Sequence, residues 1–239
     1  WTAVAPGSKF KREWLTRNLV DVAPKLVKRA IYFDLAGTEQ TEVPPNDPDR
    51  TAGVWGGMTP DGKLVIEGGV RAALSDANVE ELVREVVHRV NPVDPPGNYP
   101  LYIEQEPGQS GKAQVANYAR RVLTGYVVKG DRPTGDKATR ASLLASMAER
   151  GDVILVRGPW IGPFVEELSA FTGDERKDGH DDYVDAASGL TLMLFRPAEA
   201  KSRNYLGESA QAIIRKGDLV LRGERYIDKK VDDRMRRLA

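Results

Sequence analysis

Apolar side chains recur along this chain first at helical spacing, then in strand-like alternation, and then in a repeating exchange between the two periods. Phe10, Trp14, Leu15 and Leu19 fall at helical intervals and predict a lead-in over residues 1–29 that packs on a larger body. From residue 30 the runs 30–36, 51–58 and 63–70 are short and β-rich. A Pro/Asp-rich loop separates the first two, and the Thr59-Pro60-Asp61-Gly62 turn joins the second and third into a hairpin. Val79, Leu82, Val83, Val86 and Val90 then share one face of a helix over 77–90, behind Ser75 and Asp76 as caps. The stretch 91–100 breaks it. Beyond lie a strand at 101–104, a helix at 112–123, a strand at 125–129, a helix at 137–150 with Leu144, Ala145 and Ala148 facing inward, and a strand at 152–156. Phe164, Leu168 and Phe171 mark a helix behind Pro163, and Val184, Ala187, Thr191, Leu194 and Phe195 mark a longer one from Asp181, ended by Pro197.

Three hairpin-connected strands followed by alternating helix and strand predict an α/β domain. Its mixed sheet would be a three-strand antiparallel meander extended by parallel strands and flanked by helices, the element order of the ribonuclease H-like fold. The expected division is a lead-in over 1–29, the ribonuclease H-like domain over 30–197 and a basic C-terminal extension over 198–239. A chain that starts at Trp1 suggests a piece of a longer polypeptide with an upstream partner domain. Composition narrows the chemistry. With no cysteine there is no disulfide, thiolate metal site or cysteine nucleophile, and two histidines are too few for most zinc-hydrolase sites. Any metal should therefore be a hard one on oxygen ligands. No uninterrupted apolar run approaches the roughly 18 residues that a membrane span needs, and no signal-type segment opens the chain, so a cytoplasmic location is expected. Lys plus Arg equals Asp plus Glu at 35 each, which argues against a dedicated nucleic-acid binder. The distribution is uneven, because residues 200–239 hold 11 basic and 6 acidic side chains.

The acids at element ends carry the functional signal. Asp34 interrupts the apolar run Ile31-Tyr32-Phe33-Asp34-Leu35-Ala36, where an ionised carboxylate is costly unless something pairs with it. A metal ligand is the favoured reading over a strand-end cap on the Gly37 turn. Glu104 closes Leu101-Tyr102-Ile103-Glu104, with Glu106 on the same face by the period of two and glycines 108 and 111 following. The alternative there is a solvated pair at a strand edge. The third element is Gly179-His180-Asp181-Asp182-Tyr183-Val184-Asp185, where three acids exceed what capping a helix needs. Asp182 and Asp185 share a face at i, i+3, and Asp181 and Asp185 share one at i, i+4. Carboxylates from two strands and a helix would repel unless divalent cations joined them. Oxygen-only ligands fit magnesium or manganese, and two such ions suit in-line phosphodiester hydrolysis.

These residues also carry a family resemblance. The segments 30–39, Tyr102-Ile103-Glu104-Gln105-Glu106-Pro107-Gly108, Asp136-Lys137-Ala138-Thr139-Arg140-Ala141 and 180–187 together resemble the nuclease domain of phage terminase large subunits. Trp160 and Phe164-Val165-Glu166-Glu167-Leu168-Ser169-Ala170-Phe171 look like the helix before that family's last acidic motif. The resemblance covers residues 5–197. It implies an endodeoxyribonuclease that cuts concatemeric double-stranded viral DNA during genome packaging in the cytoplasm of the infected host cell, with magnesium or manganese and little sequence specificity. It gives the metal-ligand roles to Asp34, Glu104 and Asp182, with Asp181 and Asp185 as alternates. Lys137 matches a family lysine that contacts the scissile phosphate or the acids. Lys112, Lys137 and Arg140 are the candidate DNA contacts. The implied partners are an ATPase domain of the same polypeptide, the portal and the small terminase subunit.

Other readings remain beside this one: a transposase or junction resolvase sharing the acids, or a binding module that keeps them without competent geometry. A phosphate-binding loop for ATP is not found. Gly108-Gln109-Ser110-Gly111-Lys112-Ala113 misplaces the first glycine and puts Ala113 where a Ser/Thr is needed, so it reads as a turn feeding a helix. His180 adjoins the acids and is available to a metal or a water, whereas His88 needs no more explanation than a helix C-terminus. In the tail, 218–228 reads as a small hairpin and 232–238 as an arginine-rich helix, a candidate contact for DNA phosphates or an acidic partner.

Overall fold

The computed structural model describes residues 7–35, 50–91, 99–174, 176 and 178–196. The expected hairpin and helix in the tail lie outside the described residues. The sheet has seven strands: β1 (Leu19–Val20), β2 (Lys28–Asp34), β3 (Thr51–Met58), β4 (Leu64–Ala72), β5 (Leu101–Glu104), β6 (Val128–Asp131) and β7 (Val153–Val156), in the order β1-β7-β4-β3-β2-β5-β6. β2, β3 and β4 form the antiparallel meander, and every other pairing is parallel. The Thr59 hydroxyl accepts from the Lys63 N–H at 2.8 Å and so closes the turn between β3 and β4.

Alternation along β2 sends Ile31 and Phe33 to one face and Ala30, Tyr32 and Asp34 to the other. The first face is covered by α2 (Asp76–Val90) and α3 (Gln109–Asn117), where Val79, Val83, Val86, Val87 and Leu123 pack on Ile31, Phe33 and Ile103. The second face carries α1 (Arg12–Thr16), α4 (Lys137–Arg150), α5 (Ile161–Ala170) and α6 (Asp182–Phe195). α4 starts where the Asp136 carboxylate accepts from the Thr139 N–H at 2.7 Å, and it buries Ala141, Leu144, Met147 and Ala148 on one stripe. Of these helices, α6 packs most extensively on the sheet, against β2 and β3. A Cβ at Gly189 would enter the Tyr32 ring, so glycine there lets the helix settle onto β2.

Three boundaries differ from the periodicity. Of the expected lead-in, the described residues 7–29 supply the edge strand β1 and bury Phe10 and Leu15 fully, each worth roughly 2 kcal/mol of burial. The strand expected at 125–129 is displaced to Val128–Asp131, because its pairing with β5 sets Leu101 opposite Val128 and Glu104 opposite Asp131. The helix expected at 112–123 begins earlier, at Gln109, and ends in a wide turn of π type over Tyr118–Val122. The segment that reads locally as a turn feeding the helix is the helix's first turn.

Candidate functional site

Asp34 stands at the end of β2 and Glu104 at the end of the adjacent parallel strand β5, on the face shared by α4 and α6. α6 begins directly above them. Its N-cap is Asp181, and Asp182 and Asp185 occupy its first turn. Glu106 does not continue the alternation, because β5 stops at Glu104. It lies exposed on the rim of a cleft of about 580 Å³ that Asp34, Glu104 and Arg140 also line.

Lys137 and Arg140, one turn apart on α4, reach into the acids. The Lys137 ammonium donates to both oxygens of Asp181 at 2.8 and 2.7 Å and lies 3.0 Å from Asp185. The Arg140 guanidinium, 9% exposed, bridges Glu104 at 3.2 Å and Asp185 at 2.9 Å. Both are sequence-derived candidates for DNA contact, Lys137 with the acids as its alternative partner, and in this arrangement both are taken up by carboxylates. Lys112, the third such candidate, lies exposed on α3 and is not among the side chains lining the cleft. Asp34 has no ion pair among the described residues. Asp182 has a buried Oδ2 without a hydrogen-bond partner, and His180 Nδ1 lies 3.9 Å from it.

The electrostatics follow from burial and crowding. Burial raises the Asp34 carboxyl well above the ordinary value, and Glu104, Asp185 and Asp182 raise it further. Glu104, Asp182 and Asp185 are raised by burial too, against the opposing pull of Arg140 on Glu104 and Asp185, and of His180 and Arg71 on Asp182. Burial alone would lower the Lys137 ammonium, but its contacts with Asp181 and Asp185 more than reverse that. Among the described residues, two permanent cations, Lys137 and Arg140, form ion pairs within the group of five acids Asp34, Glu104, Asp181, Asp182 and Asp185, which leaves the cluster short of positive charge.

Two further contacts position α6. The buried Glu167 of α5 accepts from the backbone N–H of Tyr183 at 2.5 Å and of Val184 at 3.1 Å, while its other oxygen pairs with Arg71 of β4. At the far end Lys28 donates to the carbonyls of Met193 and Leu194 at 2.7 and 2.6 Å. A carboxylate at the N-terminus and an ammonium at the C-terminus both complement the helix dipole, so α6 is held at each end by the charge that favours it. Asp131, absent from the sequence-derived candidates, is buried in register beside Glu104 and accepts from the Tyr32 hydroxyl at 3.1 Å. Its signal is an acid at a strand end, hidden when the strand is placed three residues too early.

The residues fit a hard divalent cation. The donors are all carboxyl groups, burial and mutual repulsion raise Asp34, Glu104, Asp182 and Asp185, so that a cation among them would offset their crowding, and one buried oxygen of Asp182 has no partner. Among the described residues no three acidic or histidine side chains stand in a coordination geometry, and Lys137 and Arg140 occupy ion pairs with the acids.

The family model for the terminase RNaseH-like domain matches residues 31–194, well over half of the chain. The chain belongs to the terminase RNaseH-like domain family. Its fold is similar to that of the human cytomegalovirus terminase nuclease domain, at 15% identity and a TM-score of 0.54 over 70% of this chain and 82% of that one. A manganese-soaked form of the cytomegalovirus domain aligns at 16% identity and a TM-score of 0.53, over 70% and 83% of the two chains. The large terminase of a thermophilic bacteriophage aligns at 12% identity and a TM-score of 0.54, over 79% of this chain and 45% of that chain. No curated protein sequence matches the chain. Within this terminase-family domain the matched span runs from β2 to α6 and so contains every acid of the cluster.

Proposed function

We propose that this terminase-family domain is a metal-dependent endodeoxyribonuclease that cuts concatemeric double-stranded viral DNA during genome packaging, with little sequence specificity. The observation that carries the reading is the set of mutually interacting carboxyls Asp34, Glu104, Asp182 and Asp185, all raised by burial, of which Asp34 and Glu104 line an open cleft. Asp34, Glu104 and Asp182 would hold magnesium or manganese, with Asp181 and Asp185 as alternates. A divalent cation bound there supplies Lewis acidity to a phosphodiester and acidifies a coordinated water.

The chain's own residues do the rest. Glu167 and Lys28 fix α6, so that the acids of its first turn meet the two strand ends at a set height. Arg140 holds Glu104 and Asp185 together while they carry negative charge. Lys137 stands beside the cluster as a cation able to face a phosphate once Asp181 releases it. An ATPase domain of the same polypeptide, the portal and the small terminase subunit are the proposed partners. The match to less than half of the thermophilic phage large terminase is consistent with a further domain in that protein.

Supercoiled plasmid nicking by the purified chain tests this. We expect cutting with added magnesium or manganese and none in chelator. Undiminished cutting in chelator would overturn the metal mechanism, and no cutting with either ion would overturn the nuclease reading.

A further inference from the structure

The cleft that Asp34 and Glu104 line is also lined by Pro107, Gly108, Pro133, Gly135 and Arg132. Arg140, the other cation lining it, already bridges Glu104 and Asp185. Arg132 has no carboxylate partner among the described residues. Its partner is a neutral one: the Gln105 amide, oriented by its hydrogen bonds, accepts from Arg132 Nε at 2.9 Å and Nη2 at 3.1 Å.

That contact is built into the sheet. Gln105 follows β5 directly, is 9% exposed, and its backbone N–H donates to the Asp131 carbonyl at 2.6 Å. Its side chain lies across β6 over Gly130, where a Cβ would come within 2.5 Å of the amide end. Any larger residue at 130 would push the amide off Arg132. The sequence Gly130-Asp131-Arg132 thus leaves room for a buried glutamine that grips an arginine along one edge of its guanidinium. A neutral clamp orients the fork without neutralising it, and the Nη1 edge, which Gln105 does not engage, keeps its donors for an anion.

We propose that Arg132, held by Gln105, contacts a backbone phosphate of the DNA strand lying in this cleft and so sets that strand's register over the acids. The inference rests on the nuclease reading for its substrate. Pro107, Gly108, Pro133 and Gly135 along the cleft wall leave room for a sugar-phosphate backbone. A full positive charge in a cleft that carboxylates also line draws a phosphate to the guanidinium and away from the acids. One phosphate contact contributes about 0.9 to the slope of log affinity against log salt on duplex DNA.

The test uses the full chain, its Arg132→Ala, Arg132→Lys and Gln105→Ala variants, and two readouts. The first is affinity for a fluorescent random-sequence duplex in chelator across a salt series. The second is manganese-dependent plasmid nicking resolved into KM and kcat. Arg132→Ala should flatten the salt slope by about one unit and raise KM several-fold. Arg132→Lys should restore the slope, because the charge returns. Gln105→Ala should keep the slope and lower kcat/KM several-fold, because the charge stays while its orientation is lost. A merely structural role for Arg132 would leave the salt slope unmoved. An unchanged slope and KM in Arg132→Ala would overturn the proposal, as would the absence of measurable duplex binding by the wild type. Should the wild type bind but not cut, a flattened slope in Arg132→Ala would uphold the contact while the nuclease reading alone fell.

Discussion

Removing the Glu167 carboxylate should loosen the start of α6 more than any other change outside the acid cluster. In Glu167→Ala the N–H groups of Tyr183 and Val184 lose their acceptor, and both residues are buried, at 3% and 1% exposure, so water cannot readily replace it. A buried donor left unpaired costs about 1–3 kcal/mol, and with Arg71 also losing its partner the total is about 3 kcal/mol. For a domain of this size that is a drop in Tm of roughly 6–12 °C. Glu167→Gln keeps a carbonyl oxygen for the same two donors and should be spared most of this. Its difference from wild type should depend on pH. Burial, set against Arg71, pushes the Glu167 carboxyl from 4.5 up to about 7. A value raised on folding means that the stability it contributes is present in full below about pH 4.5 and is lost as pH rises through about 7. Glu167→Gln does not titrate, so it should gain on wild type between those values and hold the gain at about pH 8. Urea unfolding of both variants at about pH 5 and pH 8 reads this directly, and manganese-dependent nicking reads the consequence for the acids. Equal stability of Glu167→Ala and Glu167→Gln would refute the capping argument.

Three further outcomes are expected. Asp34→Asn and Glu104→Gln should each lower plasmid nicking by at least about 100-fold, the upper range for residues that merely support a metal ligand. In the last motif Asp182→Asn should do most damage, Asp185→Asn less, and Asp181→Asn a variable amount; a fully active Asp34→Asn protein would refute the assignment. Manganese affinity, measured by calorimetry, should rise with pH above the ordinary carboxylate range, because the carboxyls of Asp34, Glu104, Asp182 and Asp185 are all raised by burial and would bind the ion as carboxylates; a flat profile would count against them as ligands. Arg140→Gln should destabilise the metal-free protein by roughly 3 kcal/mol, since Glu104 and Asp185 lose a buried partner, and saturating manganese should recover most of that; an equal loss with and without manganese would show that the ion does not take over the charge.

Alternation and helical spacing make the meander and the order of helices legible, because each buries one face and repeats its period over several residues. The parts that stay hidden have no period to show. β1 is two residues long and exists through pairing with β7, at the edge of the sheet and away from the meander's centre. β6 reads poorly because Gly130 resembles a break, yet that glycine is there for the Gln105 side chain that crosses it. The first turn of α3 is hidden by glycines 108 and 111, which look like turn residues when only local sequence is weighed.

In the site, a carboxylate interrupting an apolar strand is the readable signal, because its cost demands a compensating partner wherever the chain folds. Asp34 and Glu104 are legible that way, and they do meet. The sign of charge on Lys137 and Arg140 is equally visible, but charge alone does not say which anion a cation faces. Their contacts join α4 to residues 36 to 45 positions away, a relation fixed by how α4 and α6 pack and not by local sequence. An arginine bridging two buried carboxylates cannot turn to a phosphate without leaving both uncompensated. On the proposed reading, a divalent cation held by Asp34, Glu104 and Asp182 would remove that constraint by supplying the charge itself. The two readings of Lys137 and Arg140, as partners of the acids and as partners of DNA, then describe the same side chains on either side of metal binding. Arg132 differs from both. Its clamp is neutral, so it is available to a phosphate before any metal arrives, and strand binding through it need not wait for the acids to be charged.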